Sequence, residues 1–433
     1  MKAPLNILMV TIDGGGNVPP MFGLAQQLSQ RGHHIRVLTE PCLKTTVLAN
    51  GFAFTSFQDH FTRTDRKEDI IKDWNTSPFT NPVFENVILG PAKTVVRQTA
   101  EAIRQYPTNL VLVDLLLVPA LIAAQAAQIP GVLVFHMPEY LPGTNRPPGG
   151  MGLLPGKGWL GTTRDQFLGA VFQRVLNKYR PLINEVRTHY ALEKLENVSD
   201  MMHQADLRLI QTLRSFDVPL EPGPANVRYT GPMLTGPDWT EPWSNPWPQD
   251  DPRPLVVVSF STTFQNQRSA IQRAIDALRG LDVRGLVTLG LALAHETFDA
   301  PDHVVVVKSA PHEQVFPVAD LVITHAGHGT LMRALANGVP LVCMPMGRDQ
   351  NDNAALVVHH GCGIKLNRTA TALQIRQAVG QILGAIRFRQ NAARFQQEIK
   401  AMAGQQEAML TELEQLAVSR SQTPQGVRLT GNR

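Results

Sequence analysis

From Thr324 the chain reads Thr-His-Ala-Gly-His-Gly-Thr, continues through Ala336-Asn-Gly-Val-Pro-Leu, and then gives Pro345-Met-Gly-Arg-Asp-Gln-Asn-Asp-Asn353. The order is that of a strand end, a glycine turn, a helix start, a second strand and a polar loop. N–H groups at a helix start have no partner inside the helix and carry the positive end of its dipole, so they favour phosphate. His325, Gly327, His328, Gly329 and Thr330 sit where such a start would form. The glycines let the backbone come close, and His325 and Thr330 add side-chain donors. Asp349 and Gln350 offer an acceptor and a mixed donor/acceptor suited to sugar hydroxyls.

The N-terminal half carries a second set of candidates. Ile7-Leu-Met-Val-Thr11 runs into Asp13 and then Gly14-Gly-Gly-Asn17-Val-Pro-Pro20, followed by Leu24-Ala-Gln-Gln-Leu28 and Arg31-Gly-His33. Asp114 ends the apolar run Leu110–Val113, and His136 and Glu139 follow the run that ends at Phe135. Asp114 is open to two readings, a base or a buried cap at a helix start. Asp13 is a second carboxylate candidate or a turn residue. His136 and Glu139 are positioned to face an acceptor, or are ordinary loop residues.

These strings, with Ser309-Ala-Pro-His312 ahead of the His325 block, resemble the UDP-glycosyltransferase-like superfamily of the GT-B fold, in its bacterial branch acting on natural products such as antibiotics. The resemblance spans both halves. It implies an α/β protein of two Rossmann-like doubly wound domains facing across a cleft. It also implies inverting transfer of a sugar from a UDP- or dTDP-linked donor to a small, largely apolar acceptor. His312 belongs to the donor signature, and Ser261 and Thr262 resemble the second loop that faces the diphosphate. The family usually has a histidine after the first glycine loop, where this chain has Asn17, and Asp114 resembles the carboxylate that orients that histidine. An amide does not take a proton at neutral pH, so the catalytic set to be tested is Asp114, Asp13 and Asn17. Arg333 stands where plant members have a glutamate for the ribose diol, which leans toward dTDP. Two other readings are a non-catalytic helper of a partner glycosyltransferase and a nucleotide-sugar epimerase on the same fold.

At 433 residues the chain is long enough for two domains with separate cores. Its formal charge of +4 is small, and its basic residues are scattered, which argues against a nucleic-acid stripe. Cys42, Cys343 and Cys362 read as reduced thiols of a cytoplasmic protein. The His325/His328 and His359/His360 pairs lack supporting ligands, so neither a metal nor another cofactor is expected. Leu5–Ile12 is too short for a signal peptide, and Asp114, Pro119 and Pro130 interrupt the apolar stretch 110–135, so no membrane span is expected. The oligomeric state is not legible.

Apolar runs alternate with helical patterns throughout, the mark of parallel sheets with crossover helices. Strands are expected at 6–12, 34–39, 110–114, 131–135, 255–260, 284–289, 303–307, 320–324 and 340–344. Helices are expected at 20–31, 94–106, 118–128, 163–193, 268–279, 328–337, 350–359 and 369–383. The expected domains are 1–230 for the acceptor and 255–385 for the nucleotide sugar. The Pro/Trp-rich stretch 231–254 reads as a linker, 386–418 as helix returning to the first domain, and 419–433 as a disordered tail. Residues 57–93 and 137–165 read as acceptor-selecting loops.

Overall fold

A computed structural model describes residues 3–66, 70–71, 82–139, 146–217, 223–234 and 240–421. The chain forms two compact units, one of 1–148, 155–233 and 403–433, the other of 149–154 and 234–402. Each is built on an all-parallel sheet.

In the first unit the strands are β1 (Asn6–Val10), β2 (His34–Thr39), β3 (Ala53–Ser56), β4 (Leu110–Asp114), β5 (Gly131–Phe135), β6 (Leu207–Ile210) and β7 (Val227–Tyr229). Their order is β3-β2-β1-β4-β5-β6-β7, so the winding reverses between β1 and β4. Side chains alternate across a strand. Leu8, Val10, Val111 and Val113 therefore enter one core, and Ile7, Met9, Leu110 and Leu112 enter the core on the opposite face. Such strands are apolar on both faces, as buried parallel strands are. The helix Val18–Gln30 covers the second face with Met21, Leu24, Ala25 and Leu28, and Met409, Leu410, Leu413 and Ala417 of the helix Ala403–Ser421 complete it.

The second unit has β8 (Leu255–Ser259), β9 (Arg284–Thr288), β10 (Val304–Val307), β11 (Leu321–Thr324), β12 (Leu341–Cys343) and β13 (Gly363–Lys365), in the order β10-β9-β8-β11-β12-β13. The winding reverses here between β8 and β11, paired from Leu321↔Val256 to Thr324↔Ser259. Strand ends at such a reversal splay apart and leave room for a ligand.

Several expected elements differ in extent. The helix expected over 163–193 is two helices, Gly158–Leu176 and Arg180–His189, with a tight turn at Asn177–Tyr179 and Pro181 opening the second. A proline fits the first turn of a helix but not its interior. The start at Gly158 takes residues 158–165 out of the expected loop. Strands β3, β6, β7 and β13 were not expected; all are three or four residues long. The segment expected at 386–418 is two helices, Ile386–Ala401 in the second unit and Ala403–Ser421 in the first. Residues 240–254 lack helix and strand, and the Glu241 and Trp243 N–H groups donate to Ser309 Oγ (3.0 Å) and Gln314 Oε1 (3.2 Å). Trp239 and residues 422–433 lie outside the described residues, as do parts of the loops 57–93 and 137–165. No helix among the described residues is long and apolar enough to cross a membrane.

Candidate functional site

In the second unit, β11 delivers His325 directly into a turn. Ala326 adopts a left-handed conformation (φ 67°), which its N–H to Thr324 Oγ1 (3.3 Å) and its carbonyl to Asn353 Nδ2 (3.0 Å) hold in place. Gly327 is then extended (φ −61°, ψ 136°) and precedes the helix His328–Ala336. A Cβ on Gly327 would lie 2.5 Å from His325 Nε2, so the close approach of the imidazole itself demands glycine there.

His325 stacks on Phe260 from the end of β8, with ring centroids 6.3 Å apart. Burial, and then the positive charge of Arg348, lower its pKa to about 3. His312, which opens a short helix after β10, places Nε2 3.1 Å from Ser259 Oγ and stacks on Phe316 at 4.3 Å. Burial, then Arg333 and His325, lower its pKa to about 3 as well. Both imidazoles are therefore neutral at pH 7. Arg333 folds back over the first turn of its own helix, its guanidinium 3.0 Å from where a Gly329 Cβ would lie. Burial lowers its pKa, against the opposing pull of Glu313. Neutral ring nitrogens and two arginines thus gather near the first turn of the helix that starts at His328. That is the chemistry of an anion cradle: backbone N–H groups, a dipole and fixed cations.

The loop after β8 belongs to the same cluster. Ser261 Oγ lies 3.2 Å from Thr263 Oγ1, and Arg348 donates to that Thr263 oxygen at 3.4 Å. Thr262 crosses closely over Gly290 (φ 72°), whose added Cβ would meet its Cα at 3.1 Å. Asp349 accepts from Asn353 Nδ2 at 2.7 Å and is half-buried. Gln350 is 2% exposed and has its amide engaged. Its oxygen accepts from the Met346 N–H (2.7 Å) and Gly347 N–H (3.1 Å), and its Nε2 lies 2.8 Å from the Gln265 side-chain oxygen. Gln350 thereby shapes the loop that presents Asp349 and Arg348. Thr330 is half-buried and His328 buried in the first turn of the helix.

In the first unit three of the sequence candidates, Asn17, Asp114 and His136, meet at the reversal between β1 and β4. Asp114 is fully buried at the end of β4. Its Oδ2 accepts from Thr11 Oγ1 (2.7 Å) and Asn17 Nδ2 (2.6 Å), and its Oδ1 accepts from the Leu116 N–H (3.0 Å). Asn17 also donates to the Ile12 carbonyl at 2.7 Å and accepts from the Gly14 N–H at 2.9 Å, so one amide ties the glycine loop to the carboxylate. His136, one residue past β5, places Nδ1 3.9 Å from Asp114 Oδ1. Asp13 lies apart from this group. Its Oδ1 accepts from the Gly15 N–H and its Oδ2 from Arg66 Nε (2.7 Å), beside a buried Glu40–Arg63 pair. Glu139 lies in a different cluster. It pairs with the buried Arg208, while Asp217 accepts from Arg146 (2.7 Å) and Tyr229 Oη (2.6 Å). Burial raises the Glu139 pKa, Arg208 opposing.

Known proteins resemble this chain in sequence and in fold. Residues 272–416 match the family model described as the C-terminal domain of erythromycin biosynthesis protein CIII-like proteins. The chain is 29% identical over 407 residues to 4'-demethylrebeccamycin synthase of Lentzea aerocolonigenes, covering 91% of this chain and 96% of that protein. The crystal structure of the glycotransferase of kitacinnamycin superposes with a TM-score of 0.74 at 20% identity, covering 96% of this chain and all of the other. The glycosyltransferase VinC, solved in complex with dTDP, superposes at 0.67 and 18% identity, with 96% of this chain and all of that one covered.

The chain is a natural-product glycosyltransferase of the GT-B fold.

In this glycosyltransferase two residues that shape the site were not legible as such in the sequence. Arg348 was visible only as part of a polar string, and its left-handed backbone (φ 57°) gave no signal in advance. Asn353, fully buried, joins the His325 turn to the Asp349 loop. Arg333, which the sequence singles out at the position of the ribose-binding glutamate, lies back against its helix start. The spacing Asp349/Asn353, one helical turn, was the available clue for the second.

Proposed function

We propose that this glycosyltransferase takes its sugar from a nucleoside-diphosphate donor, UDP- or dTDP-linked, and transfers it with inversion to a small, largely apolar acceptor. The observation that carries the donor half is the gathering of His312, His325, Arg333 and Arg348 near the first turn of His328–Ala336. A departing diphosphate gains negative charge as the glycosidic bond breaks, and preorganised donors and cations stabilise that charge most when already held in place. Gly327 and Gly329 leave the backbone bare for the phosphates, Ser261 and Thr262 flank them from the β8 loop, and Asp349 meets sugar hydroxyls. Arg333 in place of a ribose-binding carboxylate favours dTDP, whose deoxyribose lacks one hydroxyl. The similarity to VinC, solved with dTDP, points the same way.

The test is a melting-temperature panel with UDP, dTDP, GDP and ADP on the wild type and on His325→Ala. A ligand at about 100 times its Kd stabilises a fold that alone binds it by ~2.7 kcal/mol. The expected result is a shift with dTDP or UDP that disappears in the variant. A shift that survives in His325→Ala would move the donor site elsewhere.

A further inference from the structure

The first unit places a histidine beside Asp114 from a different strand than the one that carries Asn17. We propose that His136 is the general base that activates the acceptor, with Asp114 as its positioning residue and Asn17 as the clamp that fixes Asp114. This inference rests on the transfer reaction proposed above and names the group that performs its proton step.

Asn17 has no basic nitrogen, and its amide is fully used: Nδ2 on Asp114 and the Ile12 carbonyl, Oδ1 on the Gly14 N–H. Asp114 is completely buried and its Oδ2 takes two donors, so an acceptor has no direct path to its proton-accepting atoms. Its Oδ1 lies toward His136, 3.9 Å from Nδ1. That ring nitrogen is itself buried and has no hydrogen-bond partner among the described residues, an expensive state that a small turn of the ring toward Oδ1 relieves. The His136 side chain keeps 16% of its surface, so with Nδ1 sealed its exposed part lies elsewhere on the side chain. A carboxylate that receives Nδ1–H fixes the tautomer with a bare Nε2, and catalytic hydrogen bonds often close up only when substrate binds.

The step balances without a further reactant. The Nε2 lone pair takes the acceptor's O–H or N–H proton. The freed electron pair forms the bond to the anomeric carbon, and the carbon–oxygen bond to the nucleoside diphosphate breaks, its pair leaving with the phosphate oxygen. The resulting imidazolium is stabilised by Asp114 through Nδ1–H.

Two measurements test this. The first needs no acceptor. Nitrogen-15 NMR of labelled histidine in the wild type, assigned with His136→Gln and read where the ring is neutral, should show Nδ1 protonated and Nε2 bare; the opposite tautomer would overturn the proposal. The second compares the wild type and His136→Gln with dTDP-glucose and UDP-glucose on para-nitrophenol, phenol and benzyl alcohol. The expected loss in kcat/KM is ~100-fold or more on benzyl alcohol and shrinks as the acceptor becomes more acidic, as general-base catalysis requires. The nucleotide-induced melting shift should stay unchanged. An equal loss on every acceptor, or a loss below about threefold on the least acidic one, would reduce His136 to packing. Failure of the wild type to bind any nucleotide would instead strike the donor reading, while the tautomer would still decide the pairing.

Discussion

The two strand reversals of this protein are built to one plan and filled with opposite chemistry. In the first unit the loop after β1 folds inward onto the acid at the end of β4, and Asn17, Thr11 and Leu116 leave Asp114 almost fully satisfied. In the second, the loops after β8 and β11 surround a helix start with neutral imidazoles and arginines. One reversal is carboxylate-centred and closed by its own hydrogen bonds; the other is cationic and rich in donors. A doubly wound sheet thus supplies only the crevice, and the residues at four strand ends decide whether it is acidic or cationic.

The largest effect should come from Gly327→Ala. The added methyl would sit 2.5 Å from His325 Nε2 and force the imidazole or the turn to move. Nucleotide affinity measured by calorimetry is expected to fall ~100-fold or more, in the range lost when a preorganised oxyanion donor is removed. Retained affinity would mean that His325 is not part of the cradle. Arg348→Gln should follow, with ~10-fold weaker nucleotide binding from the loss of one charge-assisted contact. Because Arg348 also lowers the His325 pKa, the same variant should move that titration upward, read by histidine NMR.

On the acid-centred side, Asn17→Ala removes two donors and an acceptor around a buried carboxylate. A loss of ~1–3 kcal/mol in urea unfolding is expected, with nucleotide affinity of the folded protein unchanged. Weakened nucleotide binding in that variant would show that the two reversals do not act separately.

Acidification should separate the clusters more gently. A histidine whose folded pKa is held at about 3 binds its proton in the unfolded chain first, so stability is constant above the ordinary value near 6.5 and declines as pH falls from there toward 3. Each of His312 and His325 contributes up to ~1.4 kcal/mol per pH unit across that window. Asp352 acts in the opposite sense. Burial, partly offset by the Gly150 and Gly152 N–H groups, raises its pKa to about 6, so protonation below that value relieves a cost. Thermal melts from pH 7 to pH 4 should fall overall. His312→Phe should flatten the decline, and Asp352→Asn, the smallest effect, should steepen it slightly.

Much of this was written in local patterns. The apolar runs of β1, β4, β5, β8 and β11 stand out because both faces of a parallel strand are buried, and the His325 string stands out because the full order from Thr324 to Asn353 is far more specific than any one of its pieces. β6 was hidden for a physical reason. Its Arg208 is 1% exposed and neutralised by Glu139, 69 residues earlier, a partnership that no local window shows. The long helix of 163–193 divided at Pro181 because periodicity continues across a tight turn while the backbone hydrogen bonds do not.

The sequence by itself determined the two alternating α/β halves, the glycine turn around His325, and the absence of a basic side chain at position 17, since each depends on neighbours within a few residues. Only the tertiary structure decided that Asp114 is sealed, that Gln350 serves its own loop, and that His136 arrives beside Asp114. Those outcomes depend on which strand ends pair in space. β4 and β5 lie side by side with Asp114 opposite Val134, and that register, set by packing on both faces of the sheet, carries His136 to the carboxylate.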